Sequence, residues 1–284
     1  MKKIALAGAT GYLGKYILKE LIKREMPSIA LVRNPQKLEA FSSPFLQIKE
    51  AQVTQATSLV GKLEDVDIVI STVGITRQKD GLTYMDVDYQ ANLNLLREAQ
   101  KAKVKKFIYI SAINGDQYRH LKIFEAKEGF VDELKKSGLD YLVLRPNGFF
   151  SDMQDFLEMA KKGRIYLFGK GDRKLNPIHG EDLAEVVVDA IFSDQKEITI
   201  GGPDIFTHTQ IAELALNAHN KPKKITYLPH WIRKSIITLM RWFTSSKTYG
   251  PIEFFLTTMA DDQIAAQYGK HRLKDFCEAS VKEI

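Results

Sequence analysis

Short apolar runs rich in β-branched residues alternate with stretches whose apolar positions recur every three or four residues through the first two-thirds of the chain. The runs Lys3–Gly8, Ile29–Arg33, Leu46–Lys49, Val66–Val73, Lys105–Ala112 and Tyr141–Arg145 predict strands. Between them, Tyr12–Arg24 sets Leu13, Ile17 and Leu21 on one helical face, Tyr84–Lys101 does so with Val87, Ala91, Leu95 and Ala99, and Ile123–Lys136 predicts a third helix. Strand–helix alternation of this kind predicts right-handed βαβ crossovers, and so a parallel sheet covered on both faces.

After Pro146 the rhythm changes. "GRIYLFGKGDRKLNPIHGEDLAEVVVDAIF" reads as a strand, a loop and a helix opening near Gly180, followed by "EITIGGP", an amphipathic helix over Thr209–Asn217 and "KKITYLP". No internal repeat at a solenoid period is present. The expected organisation is a sheet domain over 1–150, completed by about 176–200, with a smaller discontinuous lobe on the substrate side over 151–175 and 201–284.

"GATGYLG" occupies Gly8–Gly14, between the first predicted strand and the first predicted helix. In that context the first glycine allows the tight turn, the second lets backbone approach a pyrophosphate, and the third lets helix pack closely on strand. The helix terminus adds amides and partial positive charge. The expected fold is therefore α/β, a Rossmann-type doubly wound parallel sheet with helices on both faces and a small C-terminal lobe. Where an NAD-selective chain carries an acidic residue for the ribose 2′-hydroxyl, this one has "LVRNPQKL". A guanidinium at Arg33 can fork onto a 2′-phosphate, with Lys37 adding charge. NADP(H) is thus the preferred cofactor, and NAD(H) the alternative.

Composition removes several other classes. With 44% hydrophobic and 27% charged residues the chain reads as an ordinary globular protein. Its 41 Lys and Arg against 35 Asp and Glu are scattered and form no nucleic-acid module, so no nucleic-acid partner is expected. The single Cys277 excludes an internal disulfide and a cysteine cluster, which suits a reducing cytoplasm. No histidine pair has metal-ligand spacing, and no metal is expected. "MKKIALAG" is broken by Gly8, Gly11 and Gly14 before a signal-peptide core develops, and no run approaches the ~18 apolar residues of a membrane span.

"GATGYLG", "LVRNP", "STVG", "FIYISA" and "LVLRPNGFF" together resemble the short-chain dehydrogenase/reductase superfamily, in its extended or atypical branch. "YISAINGDQY", "FEAKEGFVDELKKSGLDYLVLRPNGFF" and "YGKHRLKDFCEA" are similar to its divinyl chlorophyllide reductase and NmrA-like groups. The resemblance implies a seven-stranded sheet in the order 3-2-1-4-5-6-7. It places Gly8, Thr10, Gly11, Tyr12, Leu13 and Gly14 at the pyrophosphate, and Thr72, Val73 and Gly74 on the adenosine and ribose side. Ser111 and Ala112 would end the fifth strand beside the nicotinamide, Lys127 would reach its ribose, and Pro146, Asn147, Gly148 and Phe149 would line its pocket. Lys127 and Ser111 are the catalytic candidates.

One departure from the superfamily pattern bears on chemistry. Its typical members carry Tyr one helical turn before the Lys, so that the ammonium lowers the phenol's pKa and the phenol donates a proton. Here Ile123 stands four residues before Lys127. Tyr118, nine residues before it, would lie about half a revolution off the lysine's face on a continuous helix. Carbonyl reduction and nucleotide-sugar epimerisation or dehydration both lose their usual proton route. Reduction of a conjugated or quinone-like acceptor does not, because the cofactor carries the difficult step and water can complete it. The expected function is an NADP(H)-dependent reductase acting on an apolar small molecule, the alternative a non-catalytic NADP(H)-binding redox sensor. His179, just before a helix start, reads as a local hydrogen-bonding residue rather than a donor.

Within 229–243, Ile232, Ile236, Leu239 and Phe243 fall on one helical side, with Arg233, Lys234 and Arg241 elsewhere. Packing on the sheet domain with the cations in water comes first among its readings, a lid over the pocket second and peripheral contact with an acidic membrane third. Nothing in the sequence sets the oligomeric state.

Overall fold

A computed structural model describes residues 2–76 and 81–282. The chain divides into two compact units, one of 1–145 with 183–198 and one of 146–182 with 199–284.

The first unit opens with β1 (Ile4–Ala7), α1 (Tyr12–Lys23), β2 (Ser28–Val32), β3 (Leu46–Glu50) and β4 (Ile68–Ser71). Next come a π-helical stretch over Met85–Ala91, α2 (Asn92–Lys101), β5 (Lys106–Ile110), α3 (Lys122–Lys136) and β6 (Asp140–Pro146). β1, β2, β4 and β5 are buried at every residue, as continuous apolar runs must be in a parallel sheet covered on both faces. β3, at the edge, is half-exposed and ends in Lys49 and Glu50, charges that discourage further pairing. One core layer joins α2 and α3 to this sheet, with the Tyr109 and Phe130 rings edge to face at 4.7 Å.

The second unit contains α4 (Gln154–Lys161), β7 (Ile165–Phe168) and β8 (Lys174–Leu175), and α5 (Gly180–Asp189) begins in it. It continues through β9 (Glu197–Gly201), β10 (Phe206–Thr207), α6 (His208–Ala218), β11 (Ile225–Leu228), α7 (His230–Phe243), α8 (Ser246–Thr258), β12 (Ala266–Gln267) and α9 (Leu273–Lys282). Phe150, Phe156, Ile211, Leu273 and Cys277 belong to its own apolar core, and burial raises the Cys277 thiol to about 11.

Among the described residues the large sheet runs β12-β9-β6-β5-β4-β1-β2-β3. Its pairings are parallel, and the amides of Val143 and Asn147 reach the carbonyls of Lys196 and Ile200 in the same sense. With β9 as the seventh strand this is the expected 3-2-1-4-5-6-7 order, extended by the two-residue β12. The predicted strands are present, and four are shorter at their carboxyl ends: the first stops at Ala7, the second at Val32, the fourth at Ser71 and the fifth at Ile110, while the third and sixth each run one residue further. Those ends stop in register, Ala7 beside Ser71 and Ser71 beside Tyr109, so the segments that follow leave the sheet along one edge.

Candidate dinucleotide site

Gly8 leaves β1 at φ +87°, a left-handed conformation that strains any L side chain, and a Cβ there would lie 2.4 Å from Thr72 Oγ1. The Thr72 hydroxyl braces this turn by donating to the Ala7 and Gly8 carbonyls at 3.2 and 3.3 Å. A Cβ on Gly14 would lie 2.1 Å from the Gly8 carbonyl oxygen, so α1 can cross the turn this closely only with glycine there. Gly11 caps α1 without a side chain, leaving the first-turn amides, which a helix cannot satisfy internally, directed out of its N-terminus. The Leu13 side chain is buried, so what it offers a ligand is backbone. These are the features a pyrophosphate cradle needs: close backbone, donors and no intruding side chain.

A cleft of about 750 Å³ opens along this loop, lined by Thr10, Gly11, Tyr12, Lys15, Tyr16 and Phe41 among others. Arg33 and Lys37 are both exposed. Between them, Asn34 accepts the Gln36 amide at 3.0 Å and starts a 3-10 turn over Pro35–Leu38. On β4's edge, Thr72 is half-buried, Val73 buried and Gly74 exposed.

The sequence-predicted Lys127 sits on α3 with its side chain 12% exposed, and its Nζ lies 2.8 Å from Oδ1 of Asp88, which is wholly buried. Asp88 belongs to the π-helical stretch, a local widening common at functional sites. Its other oxygen accepts the Ile75 amide at 3.2 Å. Asn92 fills the widened turn, its amide donating to the Val73, Val87 and Asp88 carbonyls while Oδ1 accepts from Ser71. Burial alone would depress the Lys127 ammonium, but Asp88 and the Tyr109 hydroxyl outweigh it and hold its pKa above the ordinary lysine value. Burial raises the Tyr109 phenol, keeping it protonated.

Ser111, at the carboxyl end of β5, is nearly buried, and its hydroxyl donates to Glu128 Oε1 at 2.8 Å. Glu128 in turn takes two bonds from Arg145, at 2.6 and 2.8 Å. What Ser111 can offer a ligand is therefore oxygen lone pairs, since its proton is committed. The Ala112 carbonyl accepts from Arg145 at 3.4 Å. Ile123 is buried where the superfamily's tyrosine would stand, and Tyr118 stacks on Phe124 with ring centroids 6.0 Å apart.

Pro146, Asn147, Gly148 and Phe149 belong to the second unit. Asn147 is buried, its amide donating to Asn176 at 2.8 Å and to the Gln263 carbonyl, its oxygen accepting the Gly148 amide. Sequence reasoning missed Asp88, Tyr109, Glu128 and Arg145. Asp88 lies 39 residues before Lys127 on another helix, and no local spacing signals a pair of that separation.

A parallel sheet with a glycine turn, an uncapped helix terminus and a lysine at its carboxyl edge defines a dinucleotide-binding α/β protein. A family model described as NAD(P)H-binding matches residues 8–194, and the chain belongs to that family. It is 26% identical to the chloroplastic divinyl chlorophyllide a 8-vinyl-reductase of Arabidopsis thaliana, over 99% of this chain and 77% of the relative. It is 25% identical to a photosystem II assembly factor of Synechocystis, over 85% of this chain and 74% of the relative. These relatives fit the atypical short-chain dehydrogenase/reductase group with NmrA-like members. Among solved structures, a quinone oxidoreductase of Escherichia coli complexed with NADPH superimposes with TM-score 0.70 at 20% identity, covering 99% of both chains. A nucleoside-diphosphate-sugar epimerase of Staphylococcus aureus does so with TM-score 0.72 at 18% identity, covering 98% of this chain and 100% of the other. A reductase and an epimerase fit equally well, so these likenesses speak for the fold.

Proposed function

We propose that the protein is an NADP(H)-dependent reductase that acts on a conjugated or quinone-like bond of an apolar small molecule without a catalytic tyrosine. The observation that carries this reading is the Lys127–Asp88 pair, in which the lysine keeps its charge and partial access to solvent while buried Ile123 replaces the proton-donating phenol. The names of the relatives agree with it: 8-vinyl-reductases reduce a carbon–carbon double bond.

The first-turn amides of α1 and the glycine turn bind the pyrophosphate. Arg33 and Lys37, exposed after β2, read the 2′-phosphate and favour NADP(H) over NAD(H). Thr72, Val73 and Gly74 bound the ribose side, and Ser111 and Ala112 the nicotinamide side. Lys127 holds ribose hydroxyls with a cation whose charge Asp88 secures. When bound, the nicotinamide supplies the hydride. Buried Ile123 stands where the phenol would be and Tyr109 is wholly buried, so we assign to water the proton that completes the reduction, at the atom of the acceptor that does not take the hydride. A reducing cytoplasm is the compartment this reading expects.

NADPH oxidation measured with a panel of enones and quinones tests the proposal. Turnover on a conjugated acceptor is expected; tight cofactor binding with no turnover on any would replace it with the redox-sensor reading.

The apolar character of the acceptor leads to a second element, α7. Among the described residues no helix is long and apolar enough to cross a membrane. Yet Trp231, Leu239, Trp242 and Phe243 are 66, 53, 78 and 78% exposed. Two cations expected in water turn to α8 instead: Arg233 donates to the Leu256 carbonyl and Arg241 pairs with Glu253. Residues 229–252 hold Arg233, Lys234, Arg241 and Lys247 and neither Asp nor Glu. Exposed aromatics beside a net positive charge match an anionic lipid surface, and we assign α7 to peripheral contact with one.

A further inference from the structure

Outside the dinucleotide site, the second unit brings together three side chains that the sequence scatters. His179 precedes α5, Glu181 is the second residue of α5, and His271 lies between β12 and α9. Each offers one ligand atom within 4.8 Å of the others. The two imidazoles stack with centroids 4.1 Å apart and planes 26° from parallel, so one ring must turn for both in-plane lone pairs to reach one ion, and His271 Nε2 is 3.6 Å from Glu181 Oε2. Two ligands about 2.0–2.1 Å from a tetrahedral ion stand about 3.4 Å apart, so this last distance needs little adjustment.

A carboxylate behind the cluster gives His271 a defined tautomer. Asp182 is wholly buried, and its Oδ1 lies 2.7 Å from His271 Nδ1. Its Oδ2 accepts the amides of Lys270 and His271 at 3.2 and 3.1 Å. A carboxylate anchored in this way accepts a hydrogen bond from Nδ1–H and leaves the lone pair on Nε2, on the side of Glu181. This is the carboxylate–histidine relay that orients metal-ligating imidazoles. The His179 Nδ1 accepts the Glu181 amide at 3.3 Å. Phe150 packs edge to face on His179 at 5.5 Å and walls one side.

We propose that His179, Glu181 and His271 form a site for a divalent transition ion of the zinc class, with Asp182 as its positioning residue. Two imidazoles and a carboxylate leave a fourth position open and suit borderline ions rather than Ca²⁺ or Mg²⁺. Bound there, the ion ties the start of α5 to the segment before α9 within the second unit. The inference does not depend on the reductase reading.

The test uses the full chain, stripped with EDTA and dialysed into chelator-free buffer at neutral pH. Titration with ZnCl₂ by calorimetry is expected to show one ion per chain with micromolar affinity and a rise in thermal midpoint, and CoCl₂ to develop visible d–d bands. His271→Ala and Glu181→Ala should each weaken zinc at least tenfold; the half-exposed Glu181 can be replaced without opening the core. Asp182→Asn should weaken it about 10–100-fold if folded, as loss of an outer-shell carboxylate does. No stoichiometric zinc, or zinc affinity unchanged in both His271→Ala and Glu181→Ala, would overturn the site.

Discussion

Lys127 Nζ sits 2.8 Å from Oδ1 of Asp88, joining α3 to a π-helical turn across 39 residues of sequence. Removing either partner strands a buried charge, which costs about 3–5 kcal/mol. Asp88→Asn and Lys127→Met are each expected to lower stability by an amount of that order in urea titration. The double variant should be less destabilised than the sum of the two. Full additivity would show that the pair does not interact. Lys127→Ala should also cut turnover at least tenfold, and unchanged turnover would remove its proposed role at the ribose.

The exposed Arg33 is the sequence's answer to the missing acidic residue after β2. Charge-assisted hydrogen bonds contribute about 1.5–3 kcal/mol, so Arg33→Asp should weaken NADPH tenfold or more while leaving NADH nearly unchanged. Calorimetry with both cofactors decides it, and equal losses would count against the 2′-phosphate assignment.

Gly14→Ala places a methyl group 2.1 Å from the Gly8 carbonyl oxygen. Either α1 or the turn must shift, at about 1–3 kcal/mol for overpacking of this kind. Cofactor affinity should fall with it, followed by quenching of protein fluorescence on NADPH addition. Wild-type affinity in this variant would mean that the turn is not the cradle.

His208 is buried, and desolvation lowers its pKa to about 4. The unfolded chain protonates near pH 6.5 while the folded one stays neutral, so the unfolded state binds more protons between those values. Stability should accordingly fall as pH drops from 6.5 towards 4, by about 3 kcal/mol in all from this group. His208→Gln should flatten that dependence in denaturant titrations at successive pH values. The same slope in both proteins would place the acid sensitivity elsewhere.

Both tryptophans of the chain, Trp231 and Trp242, lie on α7, so intrinsic fluorescence reports that helix directly. Vesicles containing phosphatidylserine should shift the emission to shorter wavelength, and added salt should weaken the shift. Neutral vesicles should have little effect. No response to anionic vesicles would dismiss the lipid surface and leave α7 to a protein partner.

Much of the fold was legible because β1, β2, β4 and β5 are buried on both faces and read as mainly apolar runs, while α1 and α3 repeat apolar residues at helical spacing. The glycine turn was legible for a similar reason: its three positions, the strand before it and the helix after it all lie within one short stretch. Legibility ended where partners are far apart. Tyr84–Lys101 reads as one helix, and only Asn92, satisfying the carbonyls of Val73, Val87 and Asp88, shows why its first half is wound as a π-helix. Ser111 reads as a residue beside a ligand, yet its proton goes to Glu128, seventeen positions away and held by Arg145. On α7 the periodicity located the helix but not its orientation, because the Glu253 carboxylate and Leu256 carbonyl that draw its cations inward lie on α8.

By itself the sequence determined the order of strands and helices, the backbone turn that can hold a pyrophosphate and the absence of a tyrosine one turn before Lys127. These depend on steric and hydrophobic rules that act over a few neighbouring residues. Tertiary structure decided which charges meet: Asp88 with Lys127, Glu128 with Arg145 and Asp182 with His271. Such pairs form only when folding removes both groups from water at one place, and linear spacing carries no record of that.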